Sequence, residues 1–332
     1  MVNDKHTEKM AADVTDLYQS ITELCQIYNI GQIIGEPKNL LGGMMHEQFF
    51  LPTTTGNYAL KKINEYNWSL LENTILPVES AENLARHHQQ QGLLTRVALK
   101  SSNNKYLERC QQGHSWMLFP WIEGKIRGQT AVTPDDALCI GQLLTKIHGA
   151  APTMSGLKLP RWFGVSENHW SDLLQQAEAQ ELSWAKKIQS SLAVLHHWST
   201  AAAESASLLQ TNLIISHRDL SPSNVVWRPD NCPVVIDWEY AGLIHPESEL
   251  FNTAMIWSFR GEGKFDLAIF DALIAGAQIN FSIPKSILLA GFAGFLLEWC
   301  EFNMQRSLIN AAVSAMASVE IINVLTILRR LQ

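Results

Sequence analysis

The chain has 332 residues, 46% of them apolar, with a formal net charge of −7, so it is long enough for two domains at roughly 100–200 residues each. The acidic balance, with no basic block, excludes a typical nucleic-acid binder and is compatible with a cationic small substrate without requiring one. Five scattered cysteines without a C-x-x-C, a polar start with no signal-like apolar region, and a most apolar segment (287–297) too short to span a bilayer point to a cytoplasmic protein with reduced thiols and no membrane partner.

Residues 11–28 place Val14, Leu17, Tyr18, Ile21, Leu24 and Cys25 near helical spacing, which predicts an amphipathic helix covering a sheet. Residues 31–64 read as three short strands. A turn at 40–45 carries Gly42 and Gly43, whose backbone N–H groups could approach phosphates, and a hairpin loop lies at 53–57. Neither G-x-G-x-x-G nor G-x-x-x-x-G-K-[ST] is present. In the strand 58–63, alternation sends Lys61 and Lys62 to opposite faces, so only one of them can enter a cleft. Residues 78–91 predict a helix stopped by Gly92, on which Glu79 and Glu82 share a face.

Residues 106–109 and 116–119 read as two more strands around the polar turn 111–114. Pro120 cannot donate a ladder bond, so that strand should end there, making 119–124 a hinge between two domains, 1–119 and 120–332. Thr133 and Pro134 suit a helix start that runs to about His148, itself a structural histidine. Residues 162–213 are helical in pattern. Trp170, Trp184 and Trp198 share no short period there and read as packing residues. After a loop at 240–250, helices are expected to 257 and over 265–276, 284–304 and 310–331.

The most informative stretch is 215–227, Ile-Ser-His-Arg-Asp-Leu-Ser-Pro-Ser-Asn-Val-Val-Trp, followed by Val-Val-Ile-Asp-Trp-Glu at 234–239. His217, Asp219, Ser221 and Asn224 fall in one loop, and Asp237 closes the next apolar run. The spacing H-x-D-x-x-x-x-N, then a hydrophobic strand ended by Asp, suits phosphoryl transfer, in which the protein positions groups and neutralises charge. A carboxylate, Asp219, orients the attacking hydroxyl. Two oxygen ligands, Asn224 and Asp237, hold Mg²⁺, because hard cations prefer oxygen.

On these residues the chain resembles the aminoglycoside phosphotransferase and choline kinase group, small-molecule relatives of protein kinases. The resemblance implies an α+β, protein-kinase-like two-lobe fold, with a small antiparallel-sheet N-lobe and a mainly helical C-lobe. It implies ATP (or GTP) and Mg²⁺ as cofactors, with Asp219 as the catalytic Asp, His217 and Ser221 beside it, and Asn224 and Asp237 as metal ligands. Tyr-Ala-Leu-Lys at 58–61 is similar to the kinase V-A-I-K strand. This puts Lys61 on the nucleotide phosphates, paired with a helix acid, Glu82 in preference to Glu79. Gly42 and Gly43 would line the phosphates. Phe119, Trp121 and Ile122 would form the adenine hinge, with Met117 and Ile122 as apolar walls. Three departures separate the chain from protein kinases: Ser221 replaces a lysine, Asp-Trp-Glu replaces Asp-Phe-Gly, and no Ala-Pro-Glu follows. They favour a small-molecule alcohol as acceptor. The alternative is a catalytically degenerate kinase-like protein that binds nucleotide or ligand only. Acceptor candidates are an acidic set, Glu123, Glu239, Glu247, Glu249, Glu298 and Glu301, and an aromatic set, Trp238, Tyr240, Trp257 and Trp299. Such a site would suit an amino-sugar or quaternary amine.

Overall fold

The computed structural model describes residues 2–40, 45–71, 75–154, 157, 159, 167–261 and 264–332. In chain order the elements are α1 (Val2–Ile27), β1 (Lys38–Asn39), β2 (Glu47–Thr53), β3 (Gly56–Lys62), α2 (Glu65–Leu71), α3 (Val78–Gln90), β4 (Leu107–Arg109) and β5 (Ser115–Pro120). Then come β6 (Lys125–Ile126), α4 (Pro134–Gly149), α5 (Glu167–Ala179), α6 (Ala185–Gln189), α7 (Leu192–Leu209), β7 (Ile214–Ser216), β8 (Val225–Trp227) and β9 (Pro233–Val235). The chain ends with β10 (Gly242–Ile244), α8 (Pro246–Ser258), α9 (Leu267–Ala277), α10 (Lys285–Ile309) and α11 (Ala311–Arg330). They form two compact units: Met1–Glu72, Leu76–Gly124 and Arg228–Glu239 in the first, the remainder in the second.

The first unit is built on an antiparallel sheet in the order β1-β2-β3-β5-β4. Alternation along β2 buries Phe49 and Leu51 on one face, and Leu60, Trp116 and Leu118 join them from β3 and β5. Ile21, Leu24 and Cys25 of α1 close this layer, so the N-terminal helix covers the sheet as its spacing predicts. Each such buried aliphatic side chain contributes about 1.5–3 kcal/mol relative to exposure. The opposite face carries Lys61. Its register partner on β5 is Met117, and Ala59 pairs with Phe119 on the same face. The segment 228–239, which the sequence reading assigns to the second domain, belongs here for a backbone reason. Arg96 N–H donates to Val235 O at 2.9 Å and Val235 N–H to Leu94 O at 3.0 Å.

The second unit is mainly helical. Trp170, Trp184 and Trp198 lie in one core with Leu288 and Phe292 of α10 and Ile321 and Leu325 of α11. Each indole finds an acceptor: Ser199 Oγ at 2.9 Å, Ser307 Oγ at 3.0 Å and Leu328 O at 2.9 Å. They are packing residues, as their lack of period suggests. The apolar run 287–297 is part of a 25-residue helix, α10, which is long and apolar enough to cross a membrane by length and composition. The segment is thus not too short, but 78% of that apolar window is buried inside the protein, the position of a core helix. β10, expected as loop, pairs antiparallel with β7, so Gly242 stands opposite Ser216.

Candidate active site

In the first unit Lys61 projects from the sheet face opposite α1 and is only 3% exposed. Its Nζ donates to Asp237 Oδ1 at 2.7 Å and to Glu239 Oε2 at 2.8 Å. Trp238 fixes both carboxylates in the turn after β9. Its ring is buried, stacks on His88 of α3 at 5.0 Å between centroids, and donates Nε1–H to Thr95 Oγ1 at 2.6 Å. Asp237 holds a left-handed backbone, φ +68°, which Asp tolerates better than most residues. The indole therefore acts as a peg, with the two acids on either side of it in sequence. His46 completes the group. Its Nδ1 accepts Asn64 N–H at 2.9 Å, which leaves the proton on Nε2, 3.3 Å from Glu239 Oε2.

Charge balance dominates this cluster. Burial alone would depress the Lys61 ammonium, but Asp237 and Glu239 overcome it and hold the pKa well above the ordinary lysine value. Burial alone would raise Glu239; Lys61 and then His46 reverse this and hold it well below the carboxylate range. Glu82 behaves oppositely. Burial pushes it up to about 7 against the pull of Ala98 N–H, Lys61 and Arg96. Arg96 lies 4.7 Å from the Phe119 ring centroid, and burial lowers its pKa against Asp237 and Glu82.

In the second unit the loop after β7 is pinned residue by residue. His217 is fully buried and its Nδ1 accepts Asp219 N–H at 3.3 Å. Arg218, at φ +64°, donates its N–H to Glu249 Oε1 at 2.6 Å. Glu249 of α8 meets His148 Nε2 of α4 at 2.6 Å through its other oxygen. Leu220 O accepts Trp257 Nε1–H at 2.7 Å. Within the loop, Asn224 Nδ2 donates to Asp219 O at 2.9 Å and to Asp219 Oδ2 at 2.7 Å. This orients the Asp219 carboxylate and leaves Asn224 Oδ1 outside those two bonds. Ser221 opens the short turn Pro222–Asn224, and its hydroxyl bonds that of Ser223 at 2.8 Å.

Several expectations are corrected. Lys61 does not pair with Glu82. The helix acid accepts Ala98 N–H at 2.7 Å, and Glu79 accepts Tyr106 N–H at 2.9 Å. Glu239 is the lysine's second carboxylate rather than part of a separate acceptor wall, and Trp238, 1% exposed, is the peg beside it. Glu298 accepts Tyr240 O–H at 2.5 Å. Glu301 is engaged by His169 Nε2 at 2.7 Å and Gln305 Nε2 at 3.1 Å. Glu249 and Trp257 hold the loop, and Glu247 holds Ser282 N–H at 2.8 Å. At the hinge, Met117 and Phe119 are buried, and Trp121 packs edge-on against Phe50 at 4.7 Å. Trp121 N–H is spent on Asn57 O at 3.1 Å and Pro120 has none, which leaves Ile122 N–H as the donor among 120–122. Gly42 and Gly43 lie outside the described residues. His46 and Arg96 join the cluster without being expected from the sequence. His46 follows Gly42 and Gly43 closely in sequence, which is a usable signal; Arg96 carries none.

In the first unit Asp237 keeps Oδ2 beyond its bond to Lys61, and in the second unit Asn224 keeps Oδ1; each is an oxygen donor of the kind that hard divalent cations prefer. In the first unit a buried lysine on an antiparallel sheet meets an Asp just after β9, and in the second a His-x-Asp loop has its Asp oriented by Asn; these are features of a kinase-like phosphotransferase. The chain belongs to the phosphotransferase enzyme family, whose model matches residues 38–280. No curated protein matches it in sequence. The fold is similar to that of a spectinomycin phosphotransferase solved with ADP and spectinomycin (TM-score 0.70, 14% identity, 94% of this chain and 98% of that one). It is similar also to a choline kinase from Streptococcus pneumoniae (0.61, 15%, 96% and 99%) and to a microcompartment-associated aminopropanol kinase (0.60, 13%, 96% and 97%). The fold is thus protein-kinase-like and α+β.

Proposed function

We propose that the protein transfers the γ-phosphate of ATP (or GTP) to a hydroxyl of a small, amine-bearing alcohol of the aminoglycoside or amino-alcohol kind. The observation that carries this reading is the Asp219–Asn224 pair, a carboxylate oriented by the side-chain amide five residues on in the same loop. Lys61 would meet nucleotide phosphate oxygens. Asn224 and Asp237 would hold Mg²⁺, which when bound neutralises charge on the transferring phosphoryl group. Asp219 would orient the acceptor hydroxyl and take its proton as the oxygen–phosphorus bond forms. Ile122 N–H would donate to the adenine edge. The acceptor class is supported by the relatives, which act on spectinomycin, choline and aminopropanol by name. A reducing, cytoplasmic setting is supported by Cys25, Cys110, Cys139, Cys232 and Cys300, all free thiols.

The test is a panel of amino-alcohols and aminoglycosides with Mg²⁺ and labelled nucleotide. Transfer to at least one acceptor is expected, with Asp219→Ala lowering turnover about 10²–10⁴-fold while nucleotide still binds. Nucleotide binding with transfer to none of the panel would instead favour a binding-only protein.

A further inference from the structure

Lys61 stands on two carboxylates, Asp237 Oδ1 and Glu239 Oε2, and neither comes from α3. The helix acid that would ordinarily hold such a lysine, Glu82, is committed to the backbone of Ala98 at 2.7 Å. Glu239 is held from behind as well. Its Oε2, the same oxygen that accepts from Lys61, lies 3.3 Å from His46 Nε2, an ion-pair distance without hydrogen-bond geometry, and the His46 ring is fixed by Asn64 N–H on Nδ1 and flanked by Trp68 at 5.8 Å. The geometry points to Glu239 as the residue that orients Lys61 toward nucleotide phosphate, in place of a helix-borne acid, with His46 as the positioning residue that holds Glu239 in that pose. This rests on the nucleotide reading of Lys61 given above.

Glu239 would act by pre-organising the lysine. A lysine is a point charge on a flexible stem and loses about 2 kcal/mol of rotamer freedom when fixed. Fixing it before the nucleotide arrives moves that loss out of the binding step. Asp237 cannot do this alone if its oxygens are also drawn to a metal. Glu239 remains as the lysine's counter-charge, and it is coupled to Asp237 through Trp238, pinned by His88 and Thr95. His46 Nε2 sits 3.3 Å from the oxygen that already serves Lys61, so it backs the carboxylate by contact and electrostatics when the lysine shifts toward a phosphate.

Two readouts test this on the full chain. The first is the labelling rate of Lys61 by an amine-directed acylating reagent without nucleotide, followed by peptide mass spectrometry. Glu239→Gln should speed labelling several-fold and His46→Ala less so. His46→Gln, which can accept from Asn64 and donate to Glu239, should restore most of the protection. Glu82→Gln should match the wild type. The second is the affinity of a non-hydrolysable ATP analogue with Mg²⁺ by calorimetry, expected to fall about tenfold in Glu239→Gln, the loss of one charge-assisted contact. Labelling that responds to Glu82→Gln and not to Glu239→Gln would overturn the inference, as would failure of His46→Gln to differ from His46→Ala. A wild-type protein that binds no analogue would overturn the nucleotide reading itself. The two failures are distinct because the labelling comparison needs no nucleotide.

Discussion

Glu249 of α8 accepts the backbone N–H of Arg218 at 2.6 Å, 31 residues away in sequence. The bond matters because Arg218 sits at φ +64°, a conformation that costs a residue with a side chain about 1 kcal/mol or more. A charge-assisted bond offsets that strain and holds the residue immediately before Asp219. Burial works to raise the Glu249 pKa, but the bond and charge of His148, then Ser216 and Arg218 N–H, bring it below the ordinary value. Glu249→Gln should therefore destabilise the protein by about 2–3 kcal/mol and lower kcat more than nucleotide affinity. A depressed folded pKa gives stability that is present above the unfolded value of about 4.3 and lost as pH falls through the folded value. The melting-temperature gap between wild type and variant should be flat above about pH 5 and narrow in acid. A gap that widens on acidification would contradict this role.

Glu82 should show the opposite sign. Its pKa is raised to about 7 by burial, so the stability tied to its protonated form is full below the unfolded value of about 4.3 and lost as pH rises through about 7. Wild type should thus lose on the order of 3 kcal/mol across that window relative to Glu82→Gln, with no further change above it. Chemical denaturation of both proteins at pH 5, 6, 7 and 8 measures the difference. Parallel stability profiles would show that Glu82 keeps an ordinary pKa in the folded state.

The sequence reveals the chemistry of this protein better than the pairing within it. Asp219, Asn224 and Asp237 stand out because their spacing is the one that suits phosphoryl transfer, and Lys61 because a strand's period of two separates it from Lys62. The lysine's partner is not legible. A helical face argument can say that Glu79 and Glu82 share a side, but not that a carboxylate 178 residues away closes on the ammonium. Trp238 and Trp257 look like substrate walls because aromatic residues near a motif suit either role; only burial separates a peg from a wall. β10 escapes because three residues, Gly-Leu-Ile, carry too little pattern to mark a strand without its partner β7. Glu298 interrupts an apolar helix for a reason that becomes visible only with Tyr240 beside it.

Asn224 offers a test of metal binding that spares the carboxylates. Its Nδ2 serves Asp219, and under the proposed function its Oδ1 would be the ligand atom. Asn224→Ala should raise the Mg²⁺ concentration for half-maximal activity by about tenfold, within the 10–100-fold typical for groups that tune a metal site. Asn224→Asp keeps an oxygen but sets a like charge 2.7 Å from Asp219 Oδ2, so it should bind Mg²⁺ better than the alanine variant and turn over more slowly than wild type. Activity titrated against Mg²⁺ separates the two. An unchanged Mg²⁺ requirement in Asn224→Ala would remove the residue from the ligand set.

The frame behind His148 depends on two glycines. A Cβ at Gly141 of α4 would come within 2.0 Å of Leu273 O, and one at Gly276 of α9 within 2.1 Å of Leu138 O. Each helix thus lays a glycine against the other's backbone, and Thr145 Oγ1 of α4 donates to Ala277 O of α9 at 3.1 Å across the same contact. A carbonyl oxygen cannot turn aside as a side-chain end can, so the helices must separate. Gly141→Ala and Gly276→Ala should each cost about 1–3 kcal/mol, although alanine alone would favour a helix by about 1 kcal/mol. The double variant should cost less than the sum, since separation forced by the first Cβ makes room for the second. Because α4 carries His148 to Glu249, kcat should fall with stability in each variant. Chemical denaturation and turnover of the four proteins decide it, and an alanine that stabilises either position would show that the two helices do not pack this closely.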